Sequence, residues 1–199
     1  MRDCVISNNN AGSNNNSSGI DVTATWNATI TGNHVSGASN WCIQVDRSGG
    51  GYLGGPAAGT LPSKNINITG NSCVGNKVRH DWPFNPEIMI GDQFSCPRAK
   101  NRTGCTGASW KPGTTALNVT VRGNDCNAGN PSGTCVGVGF GAEGIRISNN
   151  TMSGCATHGQ QRRSIWIGGD SSTKDVLVWN NTKIRGASCA GAPPKGTRD

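Results

Sequence analysis

The segment from residue 77 to residue 82 concentrates basic, imidazole and aromatic side chains: Lys77, Arg79, His80, Asp81 and Trp82. His80 stands beside Asp81, and a neighbouring carboxylate orients an imidazole as a base. Arg and Lys can neutralise a substrate carboxylate, and a positioned base can then remove the proton α to it. We therefore interpret His80 and Arg79 as candidate catalytic residues. Lys77 and Trp82 are the matching candidates for binding an anionic substrate.

A second basic segment carries His158, Arg162 and Arg163. By the same reasoning, we assign His158 and Arg162 to catalysis and Arg163 to substrate binding. The repeat described below places the two segments two coils apart, which is roughly 10 Å at about 4.8 Å per coil. That spacing would bracket an anionic sugar chain. The alternative is that these side chains are simply solvated in surface loops.

Four further residues are binding candidates, because indole rings stack on sugars and polar outward groups hydrogen-bond them. Trp110 lies in a loop, like Trp82, and packing over the body of the protein is its alternative role. Trp166 occupies an outward strand position next to glycines, so we expect an open ring face. Gln44 and Asp46 are predicted to point outward from a neighbouring strand.

Calcium is the one cofactor that the aspartates would suit, because Asp46, Asp92 and Asp170 each follow a predicted strand. A calcium site needs several oxygens that converge. These three carboxylates are separated by coils and by loops of different length. We therefore predict no metal site and no cofactor.

A repeat of strand and turn must position all of these groups. Six segments align without gaps in the pattern apolar, variable, apolar, mostly polar, Gly or Asn, Asn: residues 4–9, 28–33, 66–71, 119–124, 145–150 and 176–181. Alternation with period two places the apolar residues on one inward face. The Gly/Asn-Asn pair turns the chain, since both residue types tolerate left-handed backbone angles.

The last asparagine of each segment should stack on its counterpart in the next coil and satisfy the turn backbone. The predicted ladder consists of Asn9, Asn33, Asn71, Asn124, Asn150 and Asn181. A second strand follows in five coils, as in Ile43-Gln44-Val45, with the outer two residues inward. The sequence therefore predicts an all-β fold: a single-stranded right-handed parallel β-helix of about six coils.

The ladder spacings of 24, 38, 53, 26 and 31 residues exceed a regular coil, so long loops should leave coils two, three and five. We expect the β-helix domain to span residues 1–186 and a polar tail to span 187–199. The strand pattern begins near Met1, so no signal peptide is expected in this chain. No apolar run is long enough to span a membrane.

The segments Asn27–Val35, Asn65–Cys73 and Asn118–Cys126 resemble the repeats of the right-handed parallel β-helix superfamily, which includes pectate lyases, polygalacturonases, uronate epimerases and phage tailspikes. The resemblance implies the fold over nearly the whole chain. It also implies action on acidic polysaccharide, with lyase-like β-elimination if the chain is an enzyme. The catalytic patterns of those enzymes do not recur, since Thr157-His158-Gly159 stands without an Asp-Asp pair. Enzymatic activity therefore stays undecided.

Nine cysteines in 199 residues indicate an oxidising compartment, and we predict a secreted or cell-surface protein. Cys96 and Cys105 share one irregular loop and form the predicted local disulfide. Cys73 and Cys126 occupy equivalent places in adjacent coils, where a bridge and an inward thiol ladder are equally compatible.

The formal net charge of +7 favours an anionic partner, and acidic polysaccharide is the predicted one. Nucleic acid is not predicted, because the basic residues are scattered rather than clustered. The alternative function is a non-catalytic adhesin, a tailspike-like segment or a structural solenoid, any of which allows an oligomer. An ice-binding solenoid ranks last, because the outward threonines are irregular.

Overall fold

A computed structural model describes residues 2–11, 18–47, 61–76, 86–92, 111–127, 134–153, 165–168 and 172–183. Within these ranges the chain is all-β and forms no helix. Its strands are β1 Arg2–Ser7, β2 Asn10–Ala11, β3 Ile20–Thr23, β4 Trp26–Thr31, β5 His34–Ser36, β6 Ile43–Asp46, β7 Ser63–Thr69, β8 Ser72–Val74, β9 Ile88–Ile90, β10 Ala116–Arg122, β11 Asp125–Asn127, β12 Val136–Val138, β13 Ala142–Ser148, β14 Thr151–Ser153, β15 Ile165–Ile167, β16 Lys174–Trp179 and β17 Thr182–Lys183.

The strands form three parallel sheets. Sheet A has the order β1-β4-β7-β10-β13-β16, sheet B the order β2-β5-β8-β11-β14-β17, and sheet C the order β3-β6-β9-β12-β15. Each strand thus pairs with the strand three places further along the chain, which is consistent with the predicted β-solenoid. We use "coil" for consecutive strands taken one from each sheet.

The core lies between the sheets and is built from the predicted inward columns. In sheet A, Ile30 pairs with Ile68, and Val121 pairs with both Ile68 and Ile147. All four side chains are fully buried. The outer residues of the sheet C triplets join the same cluster, as Ile43 does, except Ile167, which is exposed. Period-two alternation therefore placed most core residues correctly, but Ile167 was predicted to point inward and is exposed.

The predicted asparagine ladder is present, and it lies where sheet A turns into sheet B. Side-chain amides donate along the stack from Asn33 to Asn71 at 2.9 Å, from Asn124 to Asn150 at 2.9 Å and from Asn150 to Asn181 at 2.9 Å. Each acceptor oxygen also receives the backbone N–H of the donor residue, as in Asn33 N to Asn71 Oδ1 at 3.0 Å. The turn backbone is thereby satisfied without water.

A second asparagine stack lies on the exposed side of sheet A and was not predicted. Asn27, Asn65 and Asn118 all adopt left-handed backbone angles, with φ near +55°. Their amides donate from Asn27 to Asp3 at 3.0 Å, from Asn65 to Asn27 at 2.9 Å and from Asn118 to Asn65 at 3.3 Å. The signal was in the sequence, because an Asn stands just before the repeat in each of these three strands.

One disulfide joins Cys42 to Cys73, with Cα atoms 5.6 Å apart. The alternative bridge between Cys73 and Cys126 is therefore wrong, although the two residues do pair in register. Cys126 is instead a buried free thiol. The predicted partners Cys96 and Cys105 lie outside the described residues.

No helix in the described part of the chain is long and apolar enough to cross a membrane. The last described strand ends at Lys183. The predicted polar tail, residues 187–199, lies outside the described residues.

Candidate functional site

Most predicted site residues fall outside the described ranges. These are the four catalytic candidates and four of the binding candidates: His80, Arg79, Arg162, His158, Lys77, Trp82, Arg163 and Trp110. The remaining three, Gln44, Asp46 and Trp166, all lie on sheet C. They are the residues whose geometry bears on the predictions.

The outward face of sheet C is packed from β9 to β15. Gln44 aligns with Met89, Met89 with Gly137, and Gly137 with Trp166 in adjacent strands. Met89 is fully buried, and a Cβ added at Gly137 would meet Pro86 Cγ at 2.5 Å. Pro86 thus fills the space that the missing side chain leaves.

The expectation of an open ring at Trp166 is wrong, since the residue is only 9% exposed. Its ring meets Phe140 edge-on, with centroids 6.2 Å apart and planes at 69°. A sugar has no access to this indole in the described conformation.

A buried cluster of charges marks the C-terminal end of sheet C. Asp46 ends β6, Arg47 follows it, and Asp92 follows β9; they are 3%, 2% and 8% exposed. Asp46 Oδ1 accepts a hydrogen bond from the Arg47 backbone N–H at 2.7 Å. An Arg47 Nη2 lies 3.8 Å from an Asp92 oxygen. Asp92 is further held by a backbone exchange with Phe140, at 3.2 and 2.7 Å.

This environment raises the pKa of Asp46 to about 7. Burial is the main cause, and the negative charge of Asp92 adds to it, while the Arg47 N–H and charge oppose both. Burial also raises the pKa of Asp21, against a hydrogen bond from the Thr23 hydroxyl. Asp46 can therefore give or take a proton near neutral pH, although it is shielded from solvent.

The described residues contain no group of three or more His, Cys, Asp or Glu side chains that could hold a metal ion. Asp46 and Asp92 share their cluster with the Arg47 guanidinium, which supplies positive charge where a cation would sit. Asp170, the third carboxylate of the calcium alternative, lies outside the described residues.

The outward face of sheet A is accessible in the described part of the chain. It presents two columns of side chains across six paired strands: Val5, Thr29, Asn67, Thr120, Arg146 and Leu177, then Ser7, Thr31, Thr69, Arg122, Ser148 and Trp179. All but Ser148 are exposed or partly exposed. Threonine and asparagine dominate one half, and arginines interrupt the array in the other.

On this face, the exposed side chains of Trp179 and Arg122 lie on either side of Ser148. Trp179 pairs in register with Ser148, and Ser148 pairs with Arg122. Trp179 is 43% exposed and Arg122 is also exposed. The two side chains therefore arise about 10 Å apart, at two strand spacings of about 4.8 Å. Trp179 was not among the predicted site residues, although its place in the sixth repeat segment predicts that its side chain points outward.

Two other side chains of sheet A, Arg146 and Trp26, are already engaged in contacts with neighbouring strands. An Nη1 of Arg146 donates to the Asp175 carbonyl at 3.0 Å, which fixes the guanidinium to the next strand. Trp26 lies between cations of both neighbouring strands, with Arg2 4.3 Å and Lys64 3.9 Å from its ring centroid. Cation–π contacts of this kind stabilise the sheet and occupy the indole.

In comparisons with known proteins, no family model, no curated protein and no solved structure matches the chain.

Proposed function

We propose that the chain is a right-handed parallel β-helix of about six coils that binds an acidic polysaccharide on the outward face of sheet A. One observation carries the proposal. Arg122 and Trp179 are exposed on either side of Ser148 on that face, whereas Met89 and Trp166 on the outward face of sheet C are buried.

The chemistry of this face suits a sugar acid polymer. An exposed indole stacks on the C–H face of a sugar ring. A guanidinium pairs with a carboxylate through two parallel hydrogen bonds, and Arg122 makes no such pair with the protein in the described structure. Thr29, Thr69 and Thr120 add hydroxyls along the same flat surface. A polymer could thus lie across several strands.

Binding of polygalacturonate and alginate, with dextran as a neutral control, tests the proposal. We expect the acidic polymers to bind, dextran to fail, and affinity to fall with added salt. Arg122→Gln and Trp179→Ala should each weaken binding about tenfold, which corresponds to about 1.4 kcal/mol. Lys111→Gln removes an exposed charge that belongs to neither column of the face and should change affinity less than about twofold.

Equal binding of dextran, or unchanged binding by both variants, would overturn the proposal. The non-catalytic alternatives, an adhesin or a tailspike-like segment, share this face but predict a stable oligomer, which light scattering detects. An extracellular location belongs to the same proposal, and the Cys42–Cys73 disulfide supports it.

A second candidate is cleavage of an acidic polymer by β-elimination at the end of sheet C, favoured by the pKa of Asp46. A base with a pKa of about 7 suits proton abstraction at neutral pH. The cluster is buried, so substrate would have to open it. Release of unsaturated products from polygalacturonate or alginate, lost in Asp46→Asn and in His80→Ala, is the expected result; no product from either polymer would contradict it.

A further inference from the structure

Four cysteines approach one another inside the described core. Cys42 and Cys73 form the disulfide, and Cys73 pairs in register with Cys126 on the next strand of sheet B. Cys135 directly precedes β12 in the coil that contains Cys126. Cys126 and Cys135 are both free and are each 1% exposed.

The Cys135 thiol lies against Cys126. It donates a hydrogen bond to the Cys126 carbonyl oxygen, with Cys135 Sγ 3.2 Å from that oxygen. The residues are nine apart in sequence. The Cys135 sulfur therefore already lies beside the residue to which a disulfide would join it.

The disulfide already present uses the same kinds of position. Cys42 directly precedes β6, as Cys135 precedes β12, and Cys73 is the middle residue of β8, as Cys126 is of β11. The Cys42–Cys73 bridge joins neighbouring coils, whereas Cys126 and Cys135 belong to one coil. Both pairs nevertheless link an inward position of sheet B to the entry of sheet C.

We propose that Cys126 and Cys135 are a redox pair that closes a second disulfide, tying β11 to β12. With a small-molecule disulfide as oxidant, one protein thiolate attacks it, forms a mixed disulfide and expels one small thiolate. The second protein thiolate then attacks the mixed disulfide on the protein sulfur and expels the other small thiolate. Two protein thiols are oxidised and one small disulfide is reduced to two thiols.

Burial decides when this reaction can occur. It is the main cause that raises the pKa of the Cys126 thiol, with contributions from Cys135 and from the Glu87 carboxyl. The thiolate is the reactive form, so the folded dithiol reacts slowly. Oxidation therefore takes place while the chain folds, and the finished disulfide is afterwards shielded from reductants.

Peptide mapping of the full chain tests the proposal. The protein is refolded with oxidised and reduced glutathione, denatured, alkylated without reduction and digested with trypsin. Residues 123–146 form one tryptic peptide that contains both cysteines. We expect this peptide to be two hydrogens lighter than the dithiol form, and to take up alkylating agent only after reduction.

Three results would overturn the proposal. The first is full alkylation of Cys126 and Cys135 before reduction. The second is a cross-link from residues 65–77 to residues 123–146 with Cys42 alkylated, since that would mean that Cys126 exchanges with the existing disulfide. The third is a cross-link from either residue to any other cysteine.

Matched variants extend the test. Cys4→Ser removes a free, half-buried thiol of β1 and should leave the light peptide unchanged. Cys135→Ser should make Cys126 fully alkylatable without reduction. The wild-type mapping stays decisive if Cys135→Ser fails to fold, because it needs no variant.

Discussion

The side-chain amide of Asn71 donates a hydrogen bond to the Oδ1 of Asn124 at 3.0 Å, between residues 53 apart in sequence. The same Oδ1 accepts the Asn71 backbone N–H at 2.9 Å, and the Asn124 amide donates to the Ile68 carbonyl at 3.0 Å. Both asparagines are buried. One side chain thus satisfies backbone groups of the neighbouring coil that water cannot reach.

Asn124→Ala should therefore destabilise the protein strongly. It leaves the Asn71 N–H and the Ile68 carbonyl buried without these partners, and each such group costs about 1–3 kcal/mol. We expect the free energy of unfolding to fall by about 2–5 kcal/mol, measured by urea denaturation.

Asn118→Gly is the matched control in the exposed stack. Asn118 has φ of +54°, which glycine adopts freely, and its amide bond to Asn65 is solvent-exposed. The free energy of unfolding should fall by less than about 1 kcal/mol. Equal losses in the two variants would show that burial of the ladder is not the source of its stabilisation.

Local patterning was enough to predict the ladder and the core. Asn124 and Ile68 could be placed because their roles follow from period-two alternation and from the Gly/Asn-Asn turn, which recur within a few residues. Stacking then brings equivalent positions together whatever the loop length, even across the 53 residues between Asn71 and Asn124.

Interactions between residues that occupy different positions in the repeat could not be predicted from local patterning. The partner of Cys73 is Cys42, which precedes a sheet C strand of the neighbouring coil rather than matching Cys73 in sheet B. The pKa of Asp46 depends on Asp92, which follows a strand of another coil. Both depend on how a coil is shaped in three dimensions, and spacing along the chain does not determine that shape.

The raised pKa of Asp46 should make stability depend on pH. Below pH 3.8, its ordinary pKa, the carboxyl is protonated in both the folded and the unfolded chain. Between that value and about 7, only the folded chain keeps the proton, so stability falls as pH rises and the full cost appears above pH 7. That pKa difference corresponds to roughly 4 kcal/mol.

Asp46→Asn should remove this dependence, because the amide stays neutral at every pH. We expect the variant and the wild type to unfold at similar urea concentrations near pH 4, and the variant to be the more stable near pH 8. Asp125→Asn, at an exposed position of β11, should leave the pH profile parallel to that of the wild type. A parallel profile for Asp46→Asn itself would contradict the assignment.

The tightest backbone approach in the charged cluster is at Gly139. We therefore predict that this position does not tolerate a residue with a side chain. A Cβ there would overlap the Asp92 carbonyl oxygen and lie 2.6 Å from Met89 Cε. The Gly139 N–H also donates to the Ile90 carbonyl at 2.7 Å, which prevents the backbone from moving away. Gly139→Ala should therefore cost about 3 kcal/mol or more and disturb the Asp92–Phe140 pairing.

Gly123→Ala is the control variant. It separates the overlap at Gly139 from the ordinary cost of replacing a glycine. Gly123 has φ of +64° and nothing within 4 Å of an added Cβ, so the substitution brings only backbone strain. That strain is worth about 1–2 kcal/mol. Urea denaturation of both variants should show the larger loss at Gly139. A smaller loss of unfolding free energy at Gly139 than at Gly123 would mean that Asp92 moves freely. The charged cluster would then not be the rigid, water-excluding environment that raises the pKa of Asp46.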